Sequence, residues 1–483
     1  MSKLTEKFQK TEEKIITRPP VVVLLGHVDH GKTTLLDAVA SSKFAKGEFG
    51  EITQSVRACQ VDTPHGKITF IDTPGHSYFA NMRGGSANFA DLAALVVSAT
   101  EGVREQTVEA IKLIEKTNIP AICVITKIDE PTANVTTVAK KLAVAGFVTE
   151  GVGGQIPVVE TSAVKLTGIN GLLETISIMA TFCELKAKLT SPAVGVILES
   201  FLDKKVGPVT LAIVRDGILK RDSIVVVDGI SGRIRAVFDQ DGKSVESAIP
   251  SQPVKILGLE KIVAVGAELR EGDRQRTTKQ QPETLRQVTL ADRELAKKRF
   301  GIILKTDSAG TKVAILTNLP KEVAVIEAGV GQITSSDIEL ANATGAKIFG
   351  FNVGLSPETA KVLNNQKHLV FQSKLIYELI DEIKKGQEET VELTEEVLGT
   401  AKVLRSFDVD GLKIAGCKVL QGVLSTGGEV KILRGEKIIS KAKVASLKTF
   451  AQSVKGVGQG GECGVGFTTP VDFQVGDVLK FVS

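Results

Sequence analysis

Val21-Val-Val-Leu-Leu25 runs directly into Gly26-His-Val-Asp-His-Gly31-Lys32-Thr33. A short apolar run bounded by Gly reads as a buried strand. The stretch from Gly26 to Thr33 matches G-x-x-x-x-G-K-[ST], and Thr34-Leu-Leu-Asp-Ala-Val-Ala40 then reads as a helix. Strand, Gly-rich turn and helix in that order form the context a phosphate-binding loop requires. The loop residues Gly26, His27, Val28, Asp29, His30 and Gly31 present backbone N–H groups to phosphate oxygens, and the helix N-terminus at Lys32 to Thr34 adds positive potential. Lys32 would reach the β- and γ-phosphates, and Thr33 would ligate Mg²⁺.

Two further motifs come next along the chain. Asp72-Thr-Pro-Gly75-His76 comes after the next apolar strand. A carboxylate at a strand end can hold a metal through water, and the N–H of Gly75 can face a γ-phosphate. Thr126-Lys127-Ile128-Asp129 follows Ala121-Ile-Cys-Val-Ile125. A carboxylate there accepts two hydrogen bonds from guanine N1–H and its amine, a donor pair that adenine lacks. Ser162, Ala163 and Val164, after the sixth strand, would close over the base. His27, His30 and His76 all lie in these motifs. His76 follows the γ-phosphate-sensing loop, where an imidazole can orient an attacking water.

Periodicity outside the motifs sets the architecture. Strands are expected at 21–25, 57–62, 67–71, 93–98, 120–125 and 156–159, and helices at 32–41, 104–117, 134–146 and 170–186. This alternation implies a mainly parallel sheet covered on both faces. The fold class is α/β plus β, in several domains. Residues 1–18 read as a flexible N-terminal segment, 19–189 as a P-loop nucleotide domain and 190–273 as a small β-barrel. Residues 274–298 read as a connector, 299–372 as a small α/β domain, 373–398 as a helical connector and 399–483 as a second β-barrel. The two barrels look like a weak repeat, with Val214, Gly217 and Leu219 recurring as Val419, Gly422 and Leu424.

Composition narrows the class. Of 483 residues, 42% are hydrophobic and 24% charged, which is globular usage and excludes a disordered or collagenous chain. No apolar run approaches the ~18 residues that span a bilayer. The charged start, MSKLTEKFQKTEEK, carries no signal-peptide core. The five cysteines include no C-x-x-C pair, so neither a disulfide framework nor a zinc knuckle is expected. A reducing cytoplasm fits this usage. Residues 399–483 hold twelve basic and seven acidic side chains, a net +5 within a chain of +4, so an anionic partner is expected there.

GHVDHGKT, Ile52-Thr53-Gln54 and DTPGH together resemble the translational GTPases. AGVGQITSSDIELANATGAKIFGFNV and LIYELIDEIK resemble the third domain of the family's bacterial initiation-factor branch. AGCKVLQGVL, KILRGEKII and GECGVGF resemble that branch's C-terminal, initiator-tRNA-binding domain. The resemblance implies a monomeric cytoplasmic GTPase with GTP/GDP and Mg²⁺ as ligands. It would bind formylmethionyl initiator tRNA on the small ribosomal subunit and promote joining of the large one, which stimulates hydrolysis. Other initiation factors would be further partners, and no membrane is involved. Thr33 and Thr53 are then metal contacts, and Asp72 and Gly75 belong to switch II with His76 as the catalytic residue. Lys127 and Asp129 bind guanine. Cys417, Phe450, Glu462, Cys463 and Gly464 match positions at the formylmethionyl end of the tRNA.

Four residues depart from the family pattern. Thr126 stands for Asn in the guanine motif, and Glu51 for Gly before switch I. Thr449 and Ala451 replace cations beside Phe450. The last two keep a second function open, a ribosome-associated regulatory or assembly GTPase without initiator-tRNA binding. Cys417 and Cys463 are also small and apolar enough to fill a barrel core, and Phe450 joins a core unless it is exposed.

Overall fold

The computed structural model describes residues 14–40, 56–75, 83, 87, 89–272, 299–362, 369–394, 397–409, 412–435, 437–450 and 452–482. Two compact units divide between Lys384 and Lys385. The connector at 274–298 lies outside the described residues, as do Glu51, Thr53, His76 and Ala451.

The first unit opens with β1 (Ile15–Thr17), β2 (Val21–Gly26) and α1 (Lys32–Ala40), followed by β3 (Arg57–Thr63) and β4 (Gly66–Asp72). Next come β5 (Leu92–Ser98), α2 (Glu105–Thr117), β6 (Ala121–Thr126) and α3 (Val135–Val144). Then β7 (Val158–Glu160), α4 (Ile169–Phe182) and β8 (Lys186–Lys188) complete the nucleotide domain. Six strands form one sheet in the order β3-β4-β2-β5-β6-β7. All neighbours are parallel except the β3–β4 hairpin. Strands β2, β5 and β6 are buried along their whole length, as strands covered by helices on both faces must be. The loops after β2, β4, β6 and β7 therefore emerge at one edge, the carboxyl ends of the strands, where open α/β sheets place ligands.

Two expectations fail here for one reason. Residues 14–18 are not a loose end, and the last helix stops at Phe182 instead of continuing to 186. Ile15–Thr17 pair antiparallel with Lys186–Lys188. Arg18 is buried and binds the Asp91 carboxylate through both terminal nitrogens at 2.6 and 2.7 Å. A bidentate, buried guanidinium–carboxylate pair holds the entering chain against β5.

In the next domain a seven-stranded sheet runs from Ile224–Val227 through Glu268–Glu271, Val194–Asp203, Gly207–Asp216, Pro253–Leu259 and Ile230–Phe238 to Ser244–Val245. Pairing of Ile224–Val227 with Ile230–Phe238 closes it into a barrel. The third domain is a four-stranded parallel sheet in the order Val323–Val330, Phe300–Thr306, Lys347–Phe351, Val370–Ser373. Helices α5 (Ala309–Thr317), α6 (Ser335–Thr344) and α7 (Pro357–Val362) connect these strands. Helix α8 (Ile376–Thr394) was expected as a connector. Its first turns instead bury Ile376, Leu379, Ile380 and Ile383 with Phe300, Ile302 and Phe349 of this sheet.

The second unit is another barrel. Val397–Val409, Val478–Val482, Glu429–Arg434, Lys437–Thr449, Glu462–Phe467 and Leu412–Ser425 lie side by side, and the first and last of these also pair with each other. The repeat has a structural counterpart. Gly217 and Gly422 both have φ near +70°, and both pack on backbone at the start of the opening strand, where a Cβ would fall 2.7 Å from the Cα of Ala193, just before that strand, and of Gly399, within it. Only glycine suits that turn.

Candidate functional site

The loop between β2 and α1 has the backbone a phosphate cradle needs. Asp29 and Gly31 take positive φ, and a Cβ on Gly26 would fall 2.3 Å from the Val96 carbonyl oxygen. Lys32 is buried at the helix start, with Nζ donating to the carbonyls of His27 at 2.6 Å and Gly26 at 3.1 Å. Burial lowers its pKa to about 8, with the charge of Asp72 opposing. His30 is fully buried with Nδ1 3.4 Å from the Val96 carbonyl oxygen, and burial holds it down to about 3, hence neutral. His27 stacks edge-on against it at 5.1 Å. These two rings shape the loop from behind. Thr34 is exposed at the first turn of α1.

Thr33 donates its hydroxyl to Asp72 Oδ2 at 2.7 Å. Asp72 is completely buried, and its other oxygen, Oδ1, has no protein partner. Burial raises its pKa, against the opposing influence of Lys32 and Thr33. A buried carboxylate oxygen without a donor is an expensive arrangement unless a cation or its hydration water completes it. The hydroxyl and carboxylate pair therefore fits Mg²⁺ held together with phosphate oxygens. Among the described residues no cluster of three His, Cys, Asp or Glu ligands occurs.

The loops after β6 and β7 come together beside the loop after β2. Thr126 donates to the His30 carbonyl at 2.6 Å, which fastens the loop after β6 to the phosphate loop. Lys127 has φ +58° and its Nζ lies 3.7 Å from Glu101. Asp129 is half-buried, and a hydrogen bond from Ser162 holds its carboxyl below the usual range. Ser162 and Thr167 exchange backbone hydrogen bonds at 3.0 Å, forming a turn that carries Ala163 and exposed Val164. Gly26 to Thr34, Asp72, Gly75, Thr126, Lys127, Asp129 and Ser162 to Val164 thus share the carboxyl edge of one sheet.

Three residues not singled out from the sequence brace this site. Gln106 Oε1 accepts the N–H of Val28 at 2.9 Å. Arg83 donates to the carbonyls of Pro74 and Gly75 at 3.1 Å and to Glu109 at 2.7 Å. Gln106 and Glu109 are one turn apart on α2, a spacing that puts both on one face.

A cavity of about 1180 Å³ lies apart from these loops, between β3, the strand Val194–Asp203 and the carboxyl ends of the third domain's strands. It contains none of the phosphate-loop or base-side groups.

In the second unit the expected contacts separate. Cys417 and Cys463 face each other across paired strands and are 2% and 5% exposed within the barrel core. Both thiols point inward with Val465 and Phe467. Burial pushes both pKa values up, as for inert thiols. Phe450 is 102% exposed in a turn with φ +45°. Glu462 and Gly464 alternate with Cys463 and so lie on the outer face, with Lys418 opposite Glu462 and Gly416 opposite Gly464. Phe407, exposed and not foreseen, lies over Gly416, with ring Cε2 2.8 Å from where a Cβ would be. Arg434 is committed to Asp477 through two hydrogen bonds of 3.1 Å.

Residues 41–181 match the family model for the elongation factor Tu GTP binding domain, 192–272 that for elongation factor G domain 2, and 274–384 that for translation-initiation factor 2. Translation initiation factor IF-2 of Aquifex aeolicus (strain VF5) is 39% identical over 488 residues, covering 96% of this chain and 61% of that protein. Translation initiation factor IF-2 of Thermotoga sp. (strain RQ2) is 38% identical over 503 residues, covering 99% of this chain and 73% of that protein. The chain therefore spans less than two thirds of the length of the first relative and just under three quarters of the second. The crystal structure of GDP-bound aIF5B from Aeropyrum pernix is 26% identical, covers 96% of this chain and 92% of that one, and has a TM-score of 0.46.

Proposed function

Because the chain belongs to the translation initiation factor IF-2 family, we propose that it is a GTP-hydrolysing initiation factor that holds formylmethionyl initiator tRNA on the small ribosomal subunit and promotes joining of the large one. The observation that carries the nucleotide part is the Thr33–Asp72 hydrogen bond of 2.7 Å, with the second carboxylate oxygen buried and unpartnered beside Lys32. It supports a metal-assisted triphosphate site.

In this reading GTP enters with its phosphates on the N–H groups of residues 29–33 and its base between Lys127, Asp129 and Ser162. A water attacks the γ-phosphorus in line, the bond to the β-phosphate oxygen breaks, and GDP and phosphate remain. Lys32 balances charge on the transferring group, and His76 orients the water. Thr33 and Thr53, supported by Asp72, would hold Mg²⁺, which would neutralise phosphate charge. Thr53 and Gly75 sense the γ-phosphate, and its loss ends both contacts.

The net +5 of residues 399–483 supports an RNA-facing second barrel. Phe407, Gly416, Glu462, Gly464 and Phe450 on its outer face are the residues proposed to meet the aminoacyl end. A formylated amine is neutral, so an apolar floor admits it without the desolvation cost of an ammonium. Lys418, opposite Glu462, would neutralise a carboxylate that otherwise favours the unformylated form. The site of action is the ribosome, hence the cytoplasm. No helix among the described residues is long and apolar enough to cross a membrane.

The test is GTP hydrolysis with and without ribosomes, for wild type and His76→Ala. Wild type should be strongly stimulated, and the variant should bind GTP but hydrolyse it at least ~10²-fold more slowly. Absence of stimulation in wild type overturns the reading. Titration with formylated and unformylated initiator tRNA tests the other half, and binding of neither transfers the case to a regulatory or assembly GTPase.

A further inference from the structure

We propose that Arg83 and Glu109 form a specificity-determining clamp that favours guanosine diphosphate over the triphosphate by holding Gly75 in the path of the γ-phosphoryl group. The inference rests on the nucleotide reading of the loop above and adds a selector to it.

Gly75 packs hard against the phosphate loop. A Cβ built on it would fall 2.6 Å from Lys32 Nζ, 2.9 Å from the Val28 nitrogen and 3.1 Å from the Val28 Cα. Not even a methyl group fits between Gly75 and these atoms. A phosphoryl group is larger, and each of its oxygens needs about 2.7–3.2 Å to a donor nitrogen. The β-phosphate site, formed by the loop itself, does not require Gly75 to move. The γ-phosphate site, between Lys32, Val28 and Gly75, does.

Arg83 opposes that movement. Its Nη1 donates to the carbonyls of both Pro74 and Gly75, the two residues that must swing outward, at 3.1 Å each. Its Nη2 is anchored on Glu109 at 2.7 Å. The guanidinium is 3% exposed, so these bonds are poorly screened. Glu109 sits on α2, which packs on β2 and β5 and does not follow a loop. The same helix holds the opposite jaw through Gln106, which accepts the Val28 N–H at 2.9 Å. One rigid element thus sets the gap on both sides. A triphosphate must break the Arg83 bonds to the 74–75 carbonyls, whereas a diphosphate leaves them in place. Arg83 and Glu109 touch no phosphate, so they act as positioning residues.

The experiment is displacement of fluorescent GDP from the full chain by GDP and by guanosine 5′-(β,γ-imido)triphosphate. Wild type, Glu109→Gln, Arg83→Gln and the double variant are compared, with thermal melting to confirm folding. Loosening the clamp should leave GDP affinity within about twofold and tighten the triphosphate analogue roughly fivefold or more, the worth of one such hydrogen bond. The double variant should gain no more than the better single one, because both break the same clamp. Equal changes for the two nucleotides, or none, overturn the proposal while the nucleotide site stands. Glu109 is half exposed, so Glu109→Gln discriminates between these outcomes even if Arg83→Gln fails to fold. A wild-type chain that binds neither nucleotide overturns the nucleotide reading itself, and the clamp with it.

Discussion

The hydroxyl of Thr126 donates to the carbonyl oxygen of His30 at 2.6 Å, across 96 positions of sequence. That bond joins the loop after β6 to the loop between β2 and α1, the two segments proposed to hold the base and the phosphates. Thr126→Val keeps the volume and removes the donor, leaving a buried carbonyl unsatisfied. GDP and GTP should both weaken by about tenfold, in equal measure, because the defect lies between the two subsites. Isothermal titration with each nucleotide checks this, and unchanged affinity would show that the bond is incidental.

Lys32 makes nucleotide affinity depend on pH in a defined direction. Burial lowers its pKa to about 8, so the free protein loses this proton as pH rises through that value. Bound phosphates favour the ammonium and raise the pKa in the complex. Above about pH 8 binding must therefore take up a proton, and GDP affinity should fall by up to tenfold per pH unit. Below that pH this group contributes no slope. The measurement is a GDP titration from about pH 6.5 to about 9.5, a range that brackets the titration, where a flat profile would contradict a lowered Lys32.

Much of this site was legible because its motifs are local. A strand, a Gly-rich turn and a helix are contiguous, so chain geometry alone assembles the residues from Gly26 to Thr34. The sheet order then brings Asp72, Thr126 and Ser162 to the same edge. Arg83, Gln106 and Glu109 were not legible, since a long polar side chain on a helix face shows no sign in sequence of which distant carbonyl it will meet. The β1–β8 pair was missed because three-residue, half-polar strands give no period. The inward thiols were legible in principle. In Glu-Cys-Gly-Val-Gly-Phe467 the strict alternation sets Cys463 on the face of Val465 and Phe467, and period two decided against surface exposure.

Glu199 offers a test at the contact of the first barrel with the third domain. Its Oε1 accepts the N–H of Gly310, in the first turn of α5, at 3.0 Å, while Oε2 has no partner. Burial pushes its carboxyl up to about 7, against the bonds from Gly310 and Ser200. An acid with a folded value above its unfolded ~4.3 binds more protons folded than unfolded between the two. Its stabilising contribution is complete below the unfolded value and is lost as pH rises through about 7. Glu199→Gln keeps an acceptor for Gly310 and never ionises. The variant should melt with wild type near about pH 4.5 and several degrees above it at about pH 8. A constant difference across that range would mean that Glu199 is ionised throughout.

Phe450 occupies a position that stability alone does not explain. Its ring is fully exposed, and its φ of +45° lies in the left-handed region. A non-glycine residue there costs about 1 kcal/mol, and an aromatic ring in water returns nothing to offset it. Strain at an exposed aromatic points to a binding role, because the turn aims the side chain away from the barrel. Phe450→Gly should therefore raise the melting temperature by a few degrees. It should also weaken formylmethionyl-tRNA by roughly tenfold, the loss of one base- or side-chain-stacking surface. The neighbouring turn supplies a second reading of the same contact. Restoring cations as Thr449→Arg and Ala451→Lys should steepen the fall of affinity with salt, since added phosphate contacts release added counterions. Formyl preference should change less than affinity, because charge at the rim does not alter the floor of Gly416 and Gly464. Titrating both tRNA forms against wild type, Phe450→Gly and the two-cation variant across a salt series separates the terms. Unchanged tRNA affinity in Phe450→Gly would leave the strained turn without a ligand to explain it.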